Sequence, residues 1–371
     1  MTTPQIDFRP IILAGGSGTR FWPRSRRARA KQVLALDGER TMIQRAVDRL
    51  APLADPEHVW VITNDLLSGT ICGQLDCVPE DQVVCEPAAR NTAPAAGLAA
   101  FLIERLAPEA VIGIFPSDHV IADEPAFLDT IHRAVALAAA GENMVVLGIT
   151  PTRAETGYGY IETGDVYGES TLRVRRFTEK PNQQRAEAFV AAGNYFWNSG
   201  IFIWGARTLA NAVREHLPET APLLEEIAAA WGTPQFRSVF AELYPKCENI
   251  SVDYAVLEPR SAKGEHHSNL YCLPASFGWN DLGSWAALYE HQLDQGSADT
   301  HNNVTEALDS LAHQSRGNYV FSPKKFVALV GVEDLVVVET DDALLITTRH
   351  HSQDVGKVVK ELAAKRRDDL I

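Results

Sequence analysis

Short uninterrupted apolar runs alternate along the first half of the chain with stretches where apolar residues recur every three or four positions. Pro10-Ile11-Ile12-Leu13-Ala14 is the first run, and glycines end it. Thr41 can cap a helix whose Ile43, Ala46, Val47 and Leu50 fall at i, i+3, i+4 and i+7. Residues 58–63 (HVWVIT), 111–115 (VIGIF) and 144–149 (MVVLGI) repeat the strand signal. Residues 91–107 and 125–140 read as helices, with Pro94 in the first turn of the former. Continuous apolar strands between amphipathic helices predict an α/β fold: a mostly parallel sheet with helices on both faces.

Beyond residue 150 the pattern is mixed. Residues 158–162 and 172–179 look like strands, and helical stretches lie between 208 and 244. The polar segment 293–316 is the best boundary candidate, separating a unit 1–290 from a tail 291–371. In the tail, residues 326–332, 335–339 and 343–348 are β-rich and too close together for crossover helices. That spacing predicts a small β-solenoid or a meander. Val355, Val358, Val359 and Leu362 return to helical spacing, with Ser352 as the expected cap.

A length of 371 residues suits about two domains. An apolar fraction of 46% with 22% charged residues excludes wholesale disorder. The five cysteines form no C-x-x-C pair, and Cys72 and Cys77 find no partners at a zinc spacing. That fits reduced thiols in a cytoplasmic protein. No apolar run approaches the ~20 residues of a membrane span, and the first ten residues lack a signal peptide's apolar stretch. A soluble chain with no membrane partner is expected. The net charge of −14 argues against nucleic acid as a partner.

Chemistry enters with Gly15-Gly16-Ser17-Gly18-Thr19-Arg20, directly after the first strand. Such a turn lets backbone N–H groups approach phosphate oxygens without Cβ obstruction. It is not a Walker A loop, and Phe21 stands where a dinucleotide fingerprint needs its last glycine. Residues 20–31 (RFWPRSRRARAK) carry Arg20, Arg24, Arg26, Arg27, Arg29 and Lys31 and no acids. That is +6 on one short loop and −20 elsewhere. A tight strand exit with incidental cations is one reading. A polyanion site is the other, favoured by the adjoining turn, with Arg27 and Arg29 free to be merely exposed.

These residues carry a resemblance. Residues 15–23 (GGSGTRFWP) are similar to the signature loop of the bacterial mannose-1-phosphate guanylyltransferases, or GDP-mannose pyrophosphorylases. The similarity continues in order through EPAARNTAP (86–94), FPSDH (115–119), GYGYIE (157–162), FTEKPN (177–182), WNSGIF (197–202) and GWNDLGSW (278–285). GVEDL (331–335) and TDDAL (340–344) resemble the family's C-terminal portion. Two departures stand out: Ala30 replaces a usual Pro before Lys31, and Phe21 a usual Leu. The longer bifunctional members carry an isomerase domain, which this chain is expected to lack.

The resemblance implies a Rossmann-like nucleotidyltransferase domain followed by a short left-handed β-helix-like segment and a C-terminal helix. It implies GTP and mannose 1-phosphate as substrates and GDP-mannose and pyrophosphate as products. Gly15, Gly16, Ser17, Gly18, Thr19, Arg20, Glu86, Arg90 and Asn91 would then lie along the nucleotide. Gly159, Glu179, Lys180 and Asn198 would hold the sugar phosphate. Asp118 and Asp281 would hold Mg²⁺, with Mn²⁺ as a substitute. Arg20, Lys31, Asp118 and Lys180 are the expected catalytic group. By residue chemistry alone Asp118 could equally cap a turn, Asn91 could cap the following helix, and His119 reads as structural. Trp197, Trp279 and Trp285 suit a core and stay unassigned. A homodimer through the exposed β edges of the tail is expected. Two alternatives remain: another base or sugar phosphate, or a non-catalytic regulatory homologue, which should lack Arg20, Lys31, Asp118 or Asp281.

Overall fold

The computed structural model describes residues 6–16 and 18–371, so Ser17 lies outside the described residues. The strands of the main sheet are β1 (Phe8–Leu13), β2 (Trp60–Asn64), β3 (Val83–Glu86) and β4 (Val111–Pro116), then β6 (Met144–Ile149), β7 (Tyr160–Gly168), β8 (Thr171–Thr178), β9 (Tyr195–Gly205) and β10 (Leu270–Ala275). A small pair, β5 (Val120–Ile121) with β11 (Trp279–Asn280), stands apart. The nine-stranded order is β3-β2-β1-β4-β9-β6-β10-β8-β7. β1 to β4, β6, β7 and β10 share one direction, and β8 and β9 oppose it. The sheet is therefore mostly parallel, as the apolar runs predict.

Its helices lie on both faces because the strands are apolar on both. One face buries Ile11, Ile62 and Ile114 under α3 (Thr92–Leu106) and the helices Ala206–His216 and Ala221–Ala230. The other buries Ile12, Val61 and Val145 under α1 (Met42–Leu50), α2 (Asp65–Gln74) and α4 (Glu124–Ala139). Each large aliphatic buried this way contributes about 1.5–3 kcal/mol. Thr41 caps α1 in a full capping box with Gln44. Asn91 caps α3 through its side chain, at a φ of 65°.

The tail corrects three expectations. Within the polar segment 293–316 lies a strand that the boundary reading did not foresee, β12 (Val304–His313), half of it polar and most of it exposed. The run at 326–332 is the far end of a longer strand, β13 (Tyr319–Val330), and β14 (Leu335–Glu339) and β15 (Leu344–Thr348) follow. Ser352 caps nothing. It is buried in a 3₁₀ turn, Arg349–Asp354, ahead of the C-terminal helix Val355–Ala364.

β12, β13 and β14 are parallel although only short turns join them, which is the geometry of coils stacked in a solenoid. Tyr319 sits over Val304 and Val336 over Tyr319, so each coil lies on the one before. Buried Asn318 links the coils: its Nδ2 donates to Asn303 and its Oδ1 accepts from the Leu335 N–H. β15 then returns antiparallel to β14, so the tail joins both expected forms, coils first and a hairpin last.

Candidate active site

The glycine turn leaves β1 at its carboxyl end. β4 lies beside β1 and delivers Asp118 to the same edge, where strand order reverses and open α/β sheets bind ligands. Buried Gln32 fixes the turn by donating to the carbonyls of Ala14 and Gly16, both at 2.8 Å. The end of β3 brings Glu86 against Gly15, where a Cβ would meet Glu86 Oε2 at 3.3 Å. A cavity of about 500 Å³ opens along this edge.

Most of the expected site residues line that cavity. Gly15, Gly16, Glu86, Arg90 and Asn91 form one end. Gly159, Glu179, Lys180 and Asn198 form the other, with Asp281 also on the wall. Arg90 is held by the Pro245 carbonyl, 2.8 Å from its Nε. Burial pushes the Glu86 carboxyl up to about 7, although it accepts a hydrogen bond from Tyr244. At the far end Lys180 Nζ lies 2.6 Å from Glu179 Oε1. Lys180 adopts a left-handed φ of 43°, sparsely populated for a lysine.

Gly18, Thr19, Arg20, Lys31 and Asp118 stand off the cavity wall and behind it. Lys31 is only 5% exposed and pairs with Asp118 at 3.0 Å. Its Nζ also donates to the Asp281 backbone carbonyl, so one lysine ties both aspartate segments together. Gly18 makes room for it: a Cβ there would stand 2.6 Å from Lys31 Cβ. Burial pushes Asp118 up, but the charges of Lys31, His119 and Arg20 outweigh it and hold the carboxyl below its usual range. Burial keeps His119 below the ordinary histidine range, and its Nδ1 accepts from Trp279 at 3.1 Å. His119 is thus uncharged at neutral pH, and it lines the cavity. Tyr158 donates to Asp281 Oδ1 at 2.8 Å.

The basic run divides. Arg20 points along the site edge to Gln353 Oε1 at 3.2 Å. The intervening arginines face the tail. Arg24 donates to the Ala35 carbonyl at 2.6 Å and stacks on Phe321 at 4.0 Å. Arg26 pairs with Asp342 at 2.9 Å and Arg27 with Asp368 at 3.0 Å. The polyanion reading of residues 20–31 narrows: Arg24, Arg26 and Arg27 hold the tail, and the acidic partners of Arg26 and Arg27 come from more than 300 residues away.

Two aspartates on neighbouring loops fit a hard divalent cation, which takes one or two carboxylates and completes its shell with phosphate oxygens and water. Among the described residues one cluster brings three potential metal ligands together: Asp165, Glu265 and His266, away from the cavity wall and already answered by Arg175 at 3.2 Å from Glu265. Asp253, which lines the cavity, and Gln32, which holds the glycine turn, are site neighbours that the sequence reading missed. Gln32 adjoins Lys31 and carried no motif. Asp253 opens a one-turn π-helix (Asp253–Leu257), a local feature that the apolar spacing does not reveal.

The family model for nucleotidyl transferases matches residues 9–297, and the mannose-phosphate isomerase/GMP-like β-helix model matches residues 310–362. A mannose-1-phosphate guanylyltransferase of Salmonella muenchen is 37% identical over 97% of this chain and 74% of that protein. The Escherichia coli K12 protein of the same name is 39% identical over 98% of this chain and 75% of its own length. The chain belongs to the mannose-1-phosphate guanylyltransferase family. A solved Thermus thermophilus structure, described as a mannose-1-phosphate geranyltransferase, superposes with a TM-score of 0.84 at 31% identity. It covers 96% of this chain and 100% of that one, so the family's architecture extends through the coiled tail. The nucleotidyltransferase fold and the β-helix tail expected from the motifs are both present.

Proposed function

We infer that this chain transfers GMP from GTP to mannose 1-phosphate, forming GDP-mannose and pyrophosphate. The observation that carries this is one cavity lined at one end by Gly15, Gly16, Glu86 and Arg90 and at the other by Glu179, Lys180 and Asn198. A nucleotide and a sugar phosphate fit end to end there, with their reacting phosphates meeting near Asp281. A phosphate oxygen of the sugar phosphate forms a bond to the α-phosphorus while the bond to the bridging oxygen of pyrophosphate breaks. The nucleophile is already anionic at neutral pH, so no residue need remove a proton.

The obstacle is bringing two anions together and accommodating charge at the transferring phosphorus. Gly15 and Gly16 offer N–H groups, Arg20 and Lys180 offer cations, and Lys31 holds Asp118 and the Asp281 segment in place. Asp118 and Asp281 would hold Mg²⁺, which when bound neutralises phosphate charge. The alternative of a non-catalytic homologue loses support because Arg20, Lys31, Asp118 and Asp281 all stand at one edge.

The test is pyrophosphate release across pairs of nucleoside triphosphates and hexose 1-phosphates, with and without Mg²⁺. GTP with mannose 1-phosphate should give the highest kcat/KM; equal or better turnover with UTP or dTTP overturns the guanine assignment. Division at about residue 290 belongs to the same reading, as does action in the cytoplasm. No helix among the described residues is long and apolar enough to cross a membrane. A homodimer through the tail is supported by Leu308, Leu311, Phe326, Val330, Leu344 and Ile346, each 56–71% exposed on the tail strands. A monomer by light scattering at micromolar concentration would contradict it.

A further inference from the structure

The sugar end of the cavity gathers acceptor oxygens from three separate parts of the chain. Glu179 follows β8, Asn198 lies on β9, and Asp253 begins the π-turn. All three line the cavity. Asn198 Nδ2 donates to Asp253 Oδ1 at 2.9 Å, while its own Oδ1 accepts from the Gly200 N–H at 3.0 Å. One N–H and one acceptor site of the asparagine thus fix Asp253 and the turn in β9. Glu179 is clamped in turn. Its side chain is 6% exposed, Oε1 takes Lys180, and its backbone N–H donates to Glu258 at 2.8 Å. Gly159 gives this cluster its space: a Cβ there would fall 2.5 Å from Glu179 Oε2 and 3.2 Å from Asn198 Cβ.

Two carboxylates thus sit near one another with Lys180 as the nearby cation. Burial, and then the charge of Glu179, push Asp253 up to about 7; Lys180 pulls the other way. Asn198 answers one Asp253 oxygen and Lys180 one Glu179 oxygen, and each carboxylate has further acceptor capacity whose burial is costly while unanswered. A ligand that brings several O–H groups relieves the cost. A phosphate, which has acceptors only, does not. The ring of a sugar is the part of the substrate with that chemistry.

We propose that Asp253 is a specificity-determining residue, accepting a hydrogen bond from a ring hydroxyl of the sugar phosphate as the partner of Glu179. The proposal rests on the sugar-phosphate reading of this cavity end. Asn198 then also acts as a positioning residue, because one N–H of its amide aims the Asp253 carboxylate. Sites built to hydrogen-bond a hydroxyl discriminate strongly against analogues that lack it, since the buried acceptor is left unanswered.

The experiment compares wild type with Asp253→Asn on whichever hexose 1-phosphate the wild type uses best, so a different preferred sugar would revise the substrate without deciding the role of Asp253. KM for the sugar phosphate should rise about tenfold or more, with kcat and the KM for GTP within about twofold. A monodeoxy series of the same sugar phosphate supplies the second measurement. In wild type one deoxy position should lose at least about tenfold in kcat/KM, and Asp253→Asn should erase that particular loss while keeping the others. An unchanged sugar KM overturns the proposal, as does an equal rise in both KM values or a deoxy penalty that survives the substitution. If Asp253→Asn fails to fold, Asn198→Ala is read by the same deoxy series: a blunted penalty at that one position supports the proposal and an undiminished one overturns it.

Discussion

The cavity and the seam between the basic loop and the tail are both dense in charge, yet they use it in opposite ways. In the seam each of these cations has a partner: Arg26 meets Asp342, Arg27 meets Asp368, and Arg24 meets a carbonyl and an aromatic face. In the cavity burial pushes the carboxyls of Glu86 and Asp253 up, helped at Asp253 by the charge of Glu179, and no opposite charge cancels it. The seam is satisfied as it stands; the cavity is completed by what it binds. Partner supply, and not the number of charges, separates a binding site from a structural joint.

That contrast can be broken most forcefully at Asp118. Asp118→Asn should lower turnover by about 10²-fold or more with the fold intact by circular dichroism; turnover near wild type would remove Asp118 from the reaction. Glu86→Gln is the next largest effect: KM for GTP should rise about tenfold while the sugar KM stays put. An unchanged GTP KM would move Glu86 out of the nucleotide end.

The same residue carries a pH prediction. The folded protein holds the Glu86 proton to about 7, whereas the ordinary value is 4.5. The folded state therefore binds more protons between those values, and its contribution to stability falls as pH rises from about 4.5 to about 7. Thermal unfolding of Glu86→Gln should lose that part of the decline, with Tm compared at matched ionic strength; parallel wild-type and variant curves would contradict it. The seam should respond least. A double-mutant cycle on Arg26 and Asp342 should return under about 1 kcal/mol of coupling, with turnover within about twofold, because that pair is partly solvated. A coupling of several kcal/mol would mean that the joint is more than glue.

The sheet was legible because its strands are apolar on both faces and its helices keep one period. The glycine turn, Glu86, Arg90, Glu179 and Asn198 were legible because their motifs are contiguous. Three features were not. β12 lacks a clean apolar alternation, because only its first residue is fully buried and the rest is partly or wholly exposed. The fate of Arg24, Arg26 and Arg27 depends on partners that sequence distance hides. Asp253 meets Asn198 across 55 positions, through a single π-turn inside an otherwise ordinary helical stretch.

The signature loop is also fastened from its far side by the last part of the chain. Trp22 donates its indole N–H to the Leu370 carbonyl at 2.7 Å, and Arg20 reaches Gln353. Those partners lie 348 and 333 positions away. During synthesis the loop emerges before its fasteners, separated by roughly 20 to 70 seconds at ordinary elongation rates of about 5–20 residues per second. A nascent chain that already has its sheet still lacks these fasteners, so the signature loop is braced only once the tail has emerged.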